Sequence, residues 1–320
     1  MAYTCGFDEP ACRDAGRFGG KAAGLADLTA AGLPVAPGFA IGVGAFRAFL
    51  AGGGVMPDAV AAEVRTRYQR LSMDAGVADV SVAVRSSATV EDSAAASFAG
   101  GYQTWVDVSG PVEVLSHVLR CWQGVSGERA VAYAEANGID PAGVEMAVVV
   151  QKTVRATAAG VMFTVSPVTG DRSRIVVEAS WGLGLAVVGG EVTPDRWVVD
   201  KIAMTVVECV PGDKRIEYVY GTTAAVDVHP VRWAQPCLTD QQVLALAKLG
   251  KEIERGQAAP QDIEFAVEDG NVVLLQRRPE TVWSARPHPP KFPAGQDVTS
   301  WIIKAITGDD HDGDQLPARR

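Results

Sequence analysis

Four polar side chains near the C-terminal end could do chemistry together, because they lie on two short runs separated by a turn. The first run carries Asp262 and Glu264, and the second carries Gln276 and Arg278. Alternate residues of a strand point to the same face of a sheet. Carboxylate and amide oxygens suit a hard cation such as Mg²⁺, and an arginine suits a phosphate. The alternative is an ordinary solvated sheet face with an Asp–Arg pair across the strands.

The two runs, 262–267 and 272–278, flank the dipeptide Asp269-Gly270, which favours a β-hairpin. We expect an odd-length loop, such as a three-residue turn with Gly270 in a left-handed conformation, because it pairs even-numbered residues with even-numbered ones. This register directs the four polar side chains to one face. It directs five apolar side chains to the core: Ile263, Phe265, Val267, Val273 and Leu275.

A second candidate is the turn Gly19-Gly20-Lys21, which precedes an Ala- and Leu-rich helix. Its backbone N–H groups and the lysine ammonium could contact a phosphate. The turn is not a P-loop, because that motif needs Gly at position 15 and Ser or Thr at position 22, and both are Ala. The alternative is a helix-start turn with an exposed lysine.

A third candidate is Arg85, which an alternating run of valines places at the end of a strand. The segment 86–101 that follows is rich in hydroxyl groups and small residues, and it is predicted to be a loop. An arginine at the base of such a loop suits a phosphate cover. We expect this loop to move and to close over a triphosphate, since Val90 and Phe98 are almost its only apolar anchors.

The rest of the pattern mixes helices and strands and predicts an α+β fold. Helices are expected after Gly19 and at 57–71, 111–137 and 239–255, the last with Thr239 as its N-cap. Strands are expected at 39–43, 80–84, 102–108, 144–150, 160–164, 175–178 and 196–201. The segment Gly182-Leu183-Gly184 follows a strand without an evident helix behind it, which disfavours a dinucleotide-binding fold.

Composition excludes several classes of protein. Of 320 residues, 48% are apolar and 21% are charged, as in globular proteins. The net charge of −9 lacks the basic footprint of a nucleic-acid partner. No apolar stretch reaches the roughly 18 residues of a membrane span, and the first residues lack the pattern of a signal peptide. The five cysteines are scattered and form neither a disulfide framework nor a zinc motif. We therefore expect a cytoplasmic protein.

Five motifs resemble, in order, the N-terminal nucleotide-binding domain of the phosphoenolpyruvate synthase and pyruvate phosphate dikinase family, which includes rifampin phosphotransferases. They read GGKAAGL, VAVRSSATVEDS with SFAG, VVVQKTV with AAGVMFT, VVEASWGLGL with VTPDRWVVDK, and QDIEFAVEDG with LLQRRP. The resemblance runs from Gly19 to about Thr281. It implies an ATP-grasp fold at 1–280, in which two α+β subdomains, roughly 1–143 and 144–280, close on ATP. Residues 281–320, Pro-rich and then polar, are predicted to form a linker and a tail.

The resemblance also implies roles for residues on the first subdomain and the strand that follows it. Lys21 and Arg85 would contact the phosphates, and Gly100 and Thr104 would lie nearby in the covering loop. Gln151 and the residues after it would line the adenine hinge.

On the hairpin, Glu264 and Gln276 would hold Mg²⁺, and Arg278 would face the phosphoryl groups being transferred. Two positions depart from the family pattern: Gly101 stands where Gln is usual after SFAG, and Leu185 where Glu is usual after GLG. Both departures concern loop contacts.

Family members also carry a phosphorylated histidine in a T-S-H-A type motif on a swivelling domain. None of the histidines here lies in such a motif: His117, His229, His288 and His311. The resemblance then implies the ATP-binding subunit of a split dikinase, such as phenylphosphate or 4-methylphenyl phosphate synthase. A histidine on a partner subunit would receive the β-phosphoryl group and pass it to a phenol, a cresol or pyruvate, so that ATP, water and the acceptor give AMP, phosphate and the phosphorylated acceptor.

Two alternatives stay open at this point. One is an excised nucleotide-binding domain of a single-chain phosphoenolpyruvate synthase or rifampin phosphotransferase. The other is a non-catalytic module that senses ATP.

Overall fold

The computed structural model describes residues 2–88, 104–125, 144–222 and 224–284. Their strands form antiparallel sheets of five, six and two strands, with helices between them. The α+β class predicted from the sequence is confirmed. One compact unit runs from Met1 to Trp283, and residues 284–320 form a separate unit. Beyond Ser284, the predicted linker and tail lie outside the described residues.

The first sheet consists of β1 (Thr4–Gly6), β2 (Gly38–Ile41), β3 (Val82–Ala88), β4 (Thr104–Val108) and β5 (Met146–Lys152). Its strand order is β1-β2-β5-β3-β4. Because β5 pairs with β2 and β3, the first sheet includes residues up to Lys152. The division into two subdomains near residues 143 and 144 stays a prediction.

Four helices flank the first sheet: α1 (Ala15–Ala30), α2 (Val43–Ala51), α3 (Asp58–Asp74) and α4 (Pro111–Gly124). Alternate residues of a strand point to opposite faces, so β2 and β5 contribute to two cores. Phe39 and Val148 pack in the core formed with α2, α3 and α4, whereas Ala40 and Val149 pack against α1. The first sheet is therefore covered by helices on both faces.

The second sheet consists of β6 (Ala158–Phe163), β7 (Arg174–Trp181), β8 (Asp195–Asp200), β9 (Thr205–Val210), β12 (Gln261–Glu268) and β13 (Asn271–Pro279). Its strand order is β13-β12-β6-β7-β8-β9. Between β9 and β12 the chain forms a two-stranded ribbon, β10 (Ile216–Tyr218) with β11 (Ala225–Asp227). The short helix α5 (Leu185–Val188) follows β7, and α6 (Asp240–Gln257) precedes β12.

Helix α6 begins where the sequence predicts. The Thr239 side chain accepts a hydrogen bond from the Gln242 backbone, and the Gln242 side chain accepts one from the Thr239 backbone, which completes a capping box. The apolar side of α6, including Leu246, packs with Trp197 and Phe265 in the core of the second sheet. The other face of this sheet is left for the cavity described below. Among the described residues, no helix combines the length and apolar character that crossing a bilayer requires.

Several elements differ from the sequence prediction. Strand β3 extends to Ala88, so residues 86–88 of the predicted loop are strand, and the rest of that loop lies outside the described residues. Helix α4 is described to Gly124, and residues 126–137 of the predicted helix also lie outside them. Helix α5 follows Gly184 directly, where no helix was expected. A four-residue helix is too short for its pattern to be recognised in a sequence.

The turn of the β12–β13 hairpin also differs from the prediction. Glu268 pairs with Asn271, so the loop has two residues, Asp269 and Gly270, with φ of 50° and 80°. Two positive φ angles are typical of a type I′ turn, whose twist matches that of the strands. The expected three-residue loop is wrong.

This turn changes which apolar residues face the core. Phe265 pairs with Leu274, and both belong to the core of the second sheet. Val273 and Leu275 pack instead with a small cluster that includes Ala266, on the opposite face. Their predicted place in the main core is therefore wrong.

A β-bulge then restores the even-numbered pairing. Phe265 pairs with Leu274, but Glu264 pairs with Gln276 and Asp262 pairs with Arg278, so Leu275 is one extra residue on β13. The four polar side chains share a face as the sequence predicts. The bulge, rather than the turn, brings them together.

A buried ion pair holds the start of β8 to two later segments. Lys214 and Asp195 form a salt bridge in which both side chains are fully buried. Lys214 Nζ also donates to the Trp233 carbonyl at 3.0 Å. The Asp195 carboxylate accepts hydrogen bonds from the backbone N–H groups of Gly212 at 2.8 Å and Cys237 at 2.7 Å. The pair thus fixes the chain on both sides of the β10–β11 ribbon.

We expect Lys214→Met to lower the free energy of unfolding by about 3–5 kcal/mol, because it leaves the Asp195 carboxylate buried without its cation. Urea denaturation followed by circular dichroism measures the change. The control is Arg70→Met, since Arg70 and Asp74 form a pair at 3.9 Å in which each side chain is 71% exposed, and such pairs contribute about 1 kcal/mol or less. Equal losses in the two variants would contradict this role for the buried pair.

Candidate functional site

A cavity of about 520 Å³ lies between the two large sheets. Seven of the residues that the sequence assigned to a site line it: Lys21, Arg85, Thr104, Gln151, Glu264, Gln276 and Arg278. Gly100, the eighth, lies outside the described residues. The structure thus brings together side chains from four separate motifs, while their roles stay predictions.

Arg85 reaches from the first sheet to the second. Its Nη1 donates to Glu264 Oε2 at 3.0 Å and lies 3.5 Å from Gln276 Oε1. The side chains of Arg85 and Glu264 are 13% and 22% exposed. Arg85 Nε is buried and has no hydrogen-bond partner in the described part of the protein. The guanidinium therefore holds a carboxylate and an amide oxygen side by side.

Lys21 is placed by a break in α1. Gly19 has a φ of 81°, and a Cβ added to it would lie 2.2 Å from Ser87 Oγ, so only glycine fits this close approach. Two residues later, the Lys21 backbone N–H donates to Ser87 Oγ at 3.3 Å, and Lys21 Nζ donates to the Ser86 carbonyl at 2.7 Å. The turn is therefore packed on the end of β3, close in sequence to Arg85.

Arg278 is held by an acidic neighbour on β12. Its Nε donates to Asp262 Oδ2 at 2.7 Å, and the two side chains are 45% and 11% exposed. Burial raises the pKa of the Asp262 carboxyl, while the positive charge of Arg278 opposes that rise. Asp262 is thus placed to orient the guanidinium of Arg278, which lines the cavity.

Gln151 lines the cavity and is held in place by a hydrogen bond of its side chain. Its side chain is almost fully buried, and its Nε2 donates to the Ala36 carbonyl at 3.1 Å. After Lys152 the chain leaves the first sheet, and Thr153 and Val154 line the cavity on the way to β6. This crossing between the sheets is where the resemblance placed the adenine hinge.

The cavity also has an apolar wall that sequence reasoning left unassigned. Its side chains come from the GLG segment and α5, namely Leu183, Leu185 and Val188, and from the bulge residue Leu275. Leu185 is one of the two departures from the family pattern, and it presents a branched alkyl group to the cavity. The GLG motif was the sequence signal that could have pointed to this wall, but the helix α5 that follows it was not expected.

The arrangement suits an elongated anion with an attached apolar ring. Lys21, Arg85 and Arg278 offer three positive charges, and the apolar wall offers a dry surface. In the described ranges, no group of three or more His, Cys, Asp or Glu side chains could hold a metal by itself. Glu264 and Gln276 can supply two oxygen ligands, which is typical of Mg²⁺ sites that the ligand's own phosphates complete.

Comparison with solved structures finds D-alanyl-alanine synthetase A from Vibrio cholerae. It has a TM-score of 0.32 and 10% sequence identity, and the match covers 91% of this chain and 67% of that one. A TM-score of this size does not establish a shared fold.

Comparison of sequences is more informative. The profile of the family described as "Pyruvate phosphate dikinase, AMP/ATP-binding domain" matches residues 52–294. A probable phosphoenolpyruvate synthase from Methanothermobacter thermautotrophicus is 39% identical over 317 residues, covering 88% of this chain and 46% of that protein.

The phosphoenolpyruvate synthase of Aeropyrum pernix is 36% identical, covering 84% of this chain and 41% of that protein. For the phosphoenolpyruvate synthase of Pyrococcus furiosus the identity is 40%, with 71% of this chain and 29% of that protein covered. The chain therefore spans less than half the length of these relatives. The profile match over most of its residues shows that the chain belongs to the pyruvate phosphate dikinase AMP/ATP-binding domain family.

Proposed function

We propose that the cavity binds ATP with Mg²⁺, and that the chain is the ATP-binding part of a dikinase. The β-phosphoryl group of ATP would pass to a histidine on a partner subunit with release of AMP, and water would take the γ-phosphoryl group as phosphate. The observation that carries this proposal is the cluster of Arg85, Glu264 and Gln276, in which one guanidinium bridges oxygen donors of the other sheet. Family membership supports the choice of nucleotide.

The cationic side chains account for phosphate binding. Lys21 and Arg85 come from the first subdomain and Arg278 from the second, so a triphosphate between the sheets would meet positive charge on both sides. Phosphoryl transfer depends mainly on positioning and on neutralising charge as the bond between phosphates breaks. Arg278, oriented by Asp262, is the side chain we assign to the phosphoryl group in transit.

Glu264 and Gln276 fit the metal. They are cross-strand neighbours, and a carboxylate with an amide oxygen is a donor set that Mg²⁺ accepts when phosphates supply further ligands. When bound, Mg²⁺ would neutralise charge on the phosphates. Since Arg85 contacts Glu264 in the structure, we expect ATP with its metal to replace that pair: Arg85 turns to a phosphate, and Glu264 is released to the metal.

The comparisons bear on the final acceptor. The relatives are phosphoenolpyruvate synthases, which supports pyruvate over a phenol or cresol. A module that only senses ATP does not need an arginine oriented toward the phosphoryl group that is transferred. The contact between Arg278 and Asp262 therefore favours a transferase over an ATP sensor.

We expect the 320-residue chain to bind Mg·ATP without forming AMP, and to form AMP when a phosphohistidine domain of a phosphoenolpyruvate synthase is supplied. The physical reason is that none of its histidines lies in a phosphohistidine motif, so the β-phosphoryl group has no acceptor. Calorimetry measures binding, and chromatography measures AMP. Rapid AMP formation by the chain alone, with stable phosphorylation of one of its histidines, would contradict the proposal that the accepting histidine lies on a partner subunit.

We expect Glu264→Gln and Arg278→Ala to differ in kind. Glu264→Gln should weaken the metal dependence of ATP binding, because an amide is a poorer Mg²⁺ ligand than a carboxylate. Arg278→Ala should lower the rate of partner phosphorylation by roughly 10²–10³, since its charge matters most where charge develops in the transition state. Mn²⁺ titration by electron paramagnetic resonance, with and without ATP, measures the first effect, and rapid quench measures the second.

Glu268→Gln is the matched control, because it removes a carboxylate from the same strand outside the cavity. It should leave both measurements unchanged. If the Glu264 and Arg278 variants fold and keep wild-type metal dependence and turnover, the hairpin face is not the site.

A further inference from the structure

Strand β4 contains a bulge beside the cavity. Val82 pairs with Val108 but Val84 pairs with Trp105, so β4 has one residue more than β3 in this stretch. Asp107 lies there with a φ of 57°. A left-handed backbone is uncommon outside glycine and costs free energy, and bulges redirect side chains near binding sites. The bulge therefore points to a contact that the Asp107 side chain makes.

Both carboxylate oxygens of Asp107 are engaged. Oδ1 accepts a hydrogen bond from Ser81 Oγ at 2.9 Å, within the same subdomain. Oδ2 accepts one from the backbone N–H of Gly221, also at 2.9 Å. Gly221 lies in the connection between β10 and β11, so the second bond joins the first sheet to the tip of the ribbon.

The end of β10 that adjoins the connecting loop of the ribbon is attached to the apolar wall of the cavity. The Leu183 backbone N–H donates to the Tyr218 carbonyl at 2.7 Å. Gly182 has a φ of 72°, and a Cβ there would lie 2.3 Å from the same carbonyl oxygen. The Tyr218 hydroxyl donates to the Glu191 carboxylate at 3.1 Å. The GLG segment thus needs its first glycine to hold the ribbon.

These contacts make the ribbon a bridge between two cavity walls. Leu183, which is bonded to Tyr218, lines the cavity on the side of the second sheet. Asp107, which is bonded to Gly221 three residues further along the ribbon, follows Val106, which lines the cavity on the side of the first sheet. A motion that separates these walls is resisted by the bond between Asp107 and Gly221 and by the attachment of the ribbon to the GLG segment. A hydrogen bond to a carboxylate is stronger than one between neutral groups.

We propose that Asp107 is a positioning residue that latches the β10–β11 ribbon across the nucleotide cleft and slows nucleotide release. This inference rests on the proposed binding of ATP in the cavity. The latch would close the cleft through Gly221 without contact between Asp107 and the nucleotide. Opening and closing of such elements commonly limit turnover.

The test is stopped-flow fluorescence of the full chain with Mg²⁺ and an ATP carrying an N-methylanthraniloyl group on its ribose. In Asp107→Gly, which accepts the left-handed backbone freely, the dissociation rate should rise about tenfold, the factor that corresponds to 1.4 kcal/mol. The association rate should stay within about twofold. Asp227→Asn, which removes a charge from β11 of the same ribbon, is the control and should leave both rates unchanged.

A second measurement needs no variant. Amide hydrogen exchange at Gly221 in the wild-type chain should slow when Mg·ATP is added, because the closed cleft keeps this N–H bonded. The latch would be overturned if Asp107→Gly protein, shown to be folded by a wild-type-like thermal unfolding curve, releases nucleotide at the wild-type rate. Unchanged amide exchange at Gly221 on addition of Mg·ATP would also overturn it. A wild-type chain that binds no nucleotide would instead overturn the proposed function on which the latch depends.

Discussion

The ion pair between Arg85 and Glu264 is the contact on which the arrangement of the cavity depends. It joins a strand of the first sheet to a strand of the second at 3.0 Å, with both side chains mostly buried. Charges in such a place need partners, because removing them from water is costly. The pair satisfies that need in the protein itself. In the function we propose, ATP with a divalent cation would offer each partner a replacement of the right sign, and binding would then be linked to a rearrangement between the two sheets.

The two subdomains are held together unequally. On the hinge side, Arg277 pairs with Asp27 of α1 at 2.6 Å, and the Leu274 backbone N–H donates to the Pro34 carbonyl at 2.7 Å. The chain itself also crosses between the sheets after β5. The ribbon contact at Asp107 is a single hydrogen bond to an exposed loop. Opening of the cleft is therefore expected at the ribbon, with the junction of α1 and β13 as its fixed side.

The apolar wall of the cavity contains one of the two residues that depart from the family pattern. Leu185 stands where the resemblance led us to expect a carboxylate, and in the structure it lines the cavity beside Leu183 and Val188. A carboxylate there would add negative charge near a triphosphate. The alkyl side chain leaves Glu264 as the acidic side chain lining the cavity within the described residues, so the metal site that we propose depends on the hairpin.

Much of this protein follows from local patterns. Alternation predicted that Asp262 shares a face with Glu264 and Gln276 with Arg278, Thr239 predicted the start of α6, and the motifs identified the family. Side-chain period, capping and motif spacing are properties of neighbouring residues. The tertiary structure decided the two-residue turn, and the bulge at Leu275 that brings the four polar side chains onto one face. It also decided the contacts of Arg85 with Glu264 and of Asp107 with Gly221, which lie 179 and 114 positions away in the sequence. Register and cross-sheet contacts depend on how two sheets pack against one another, and no local period encodes that choice.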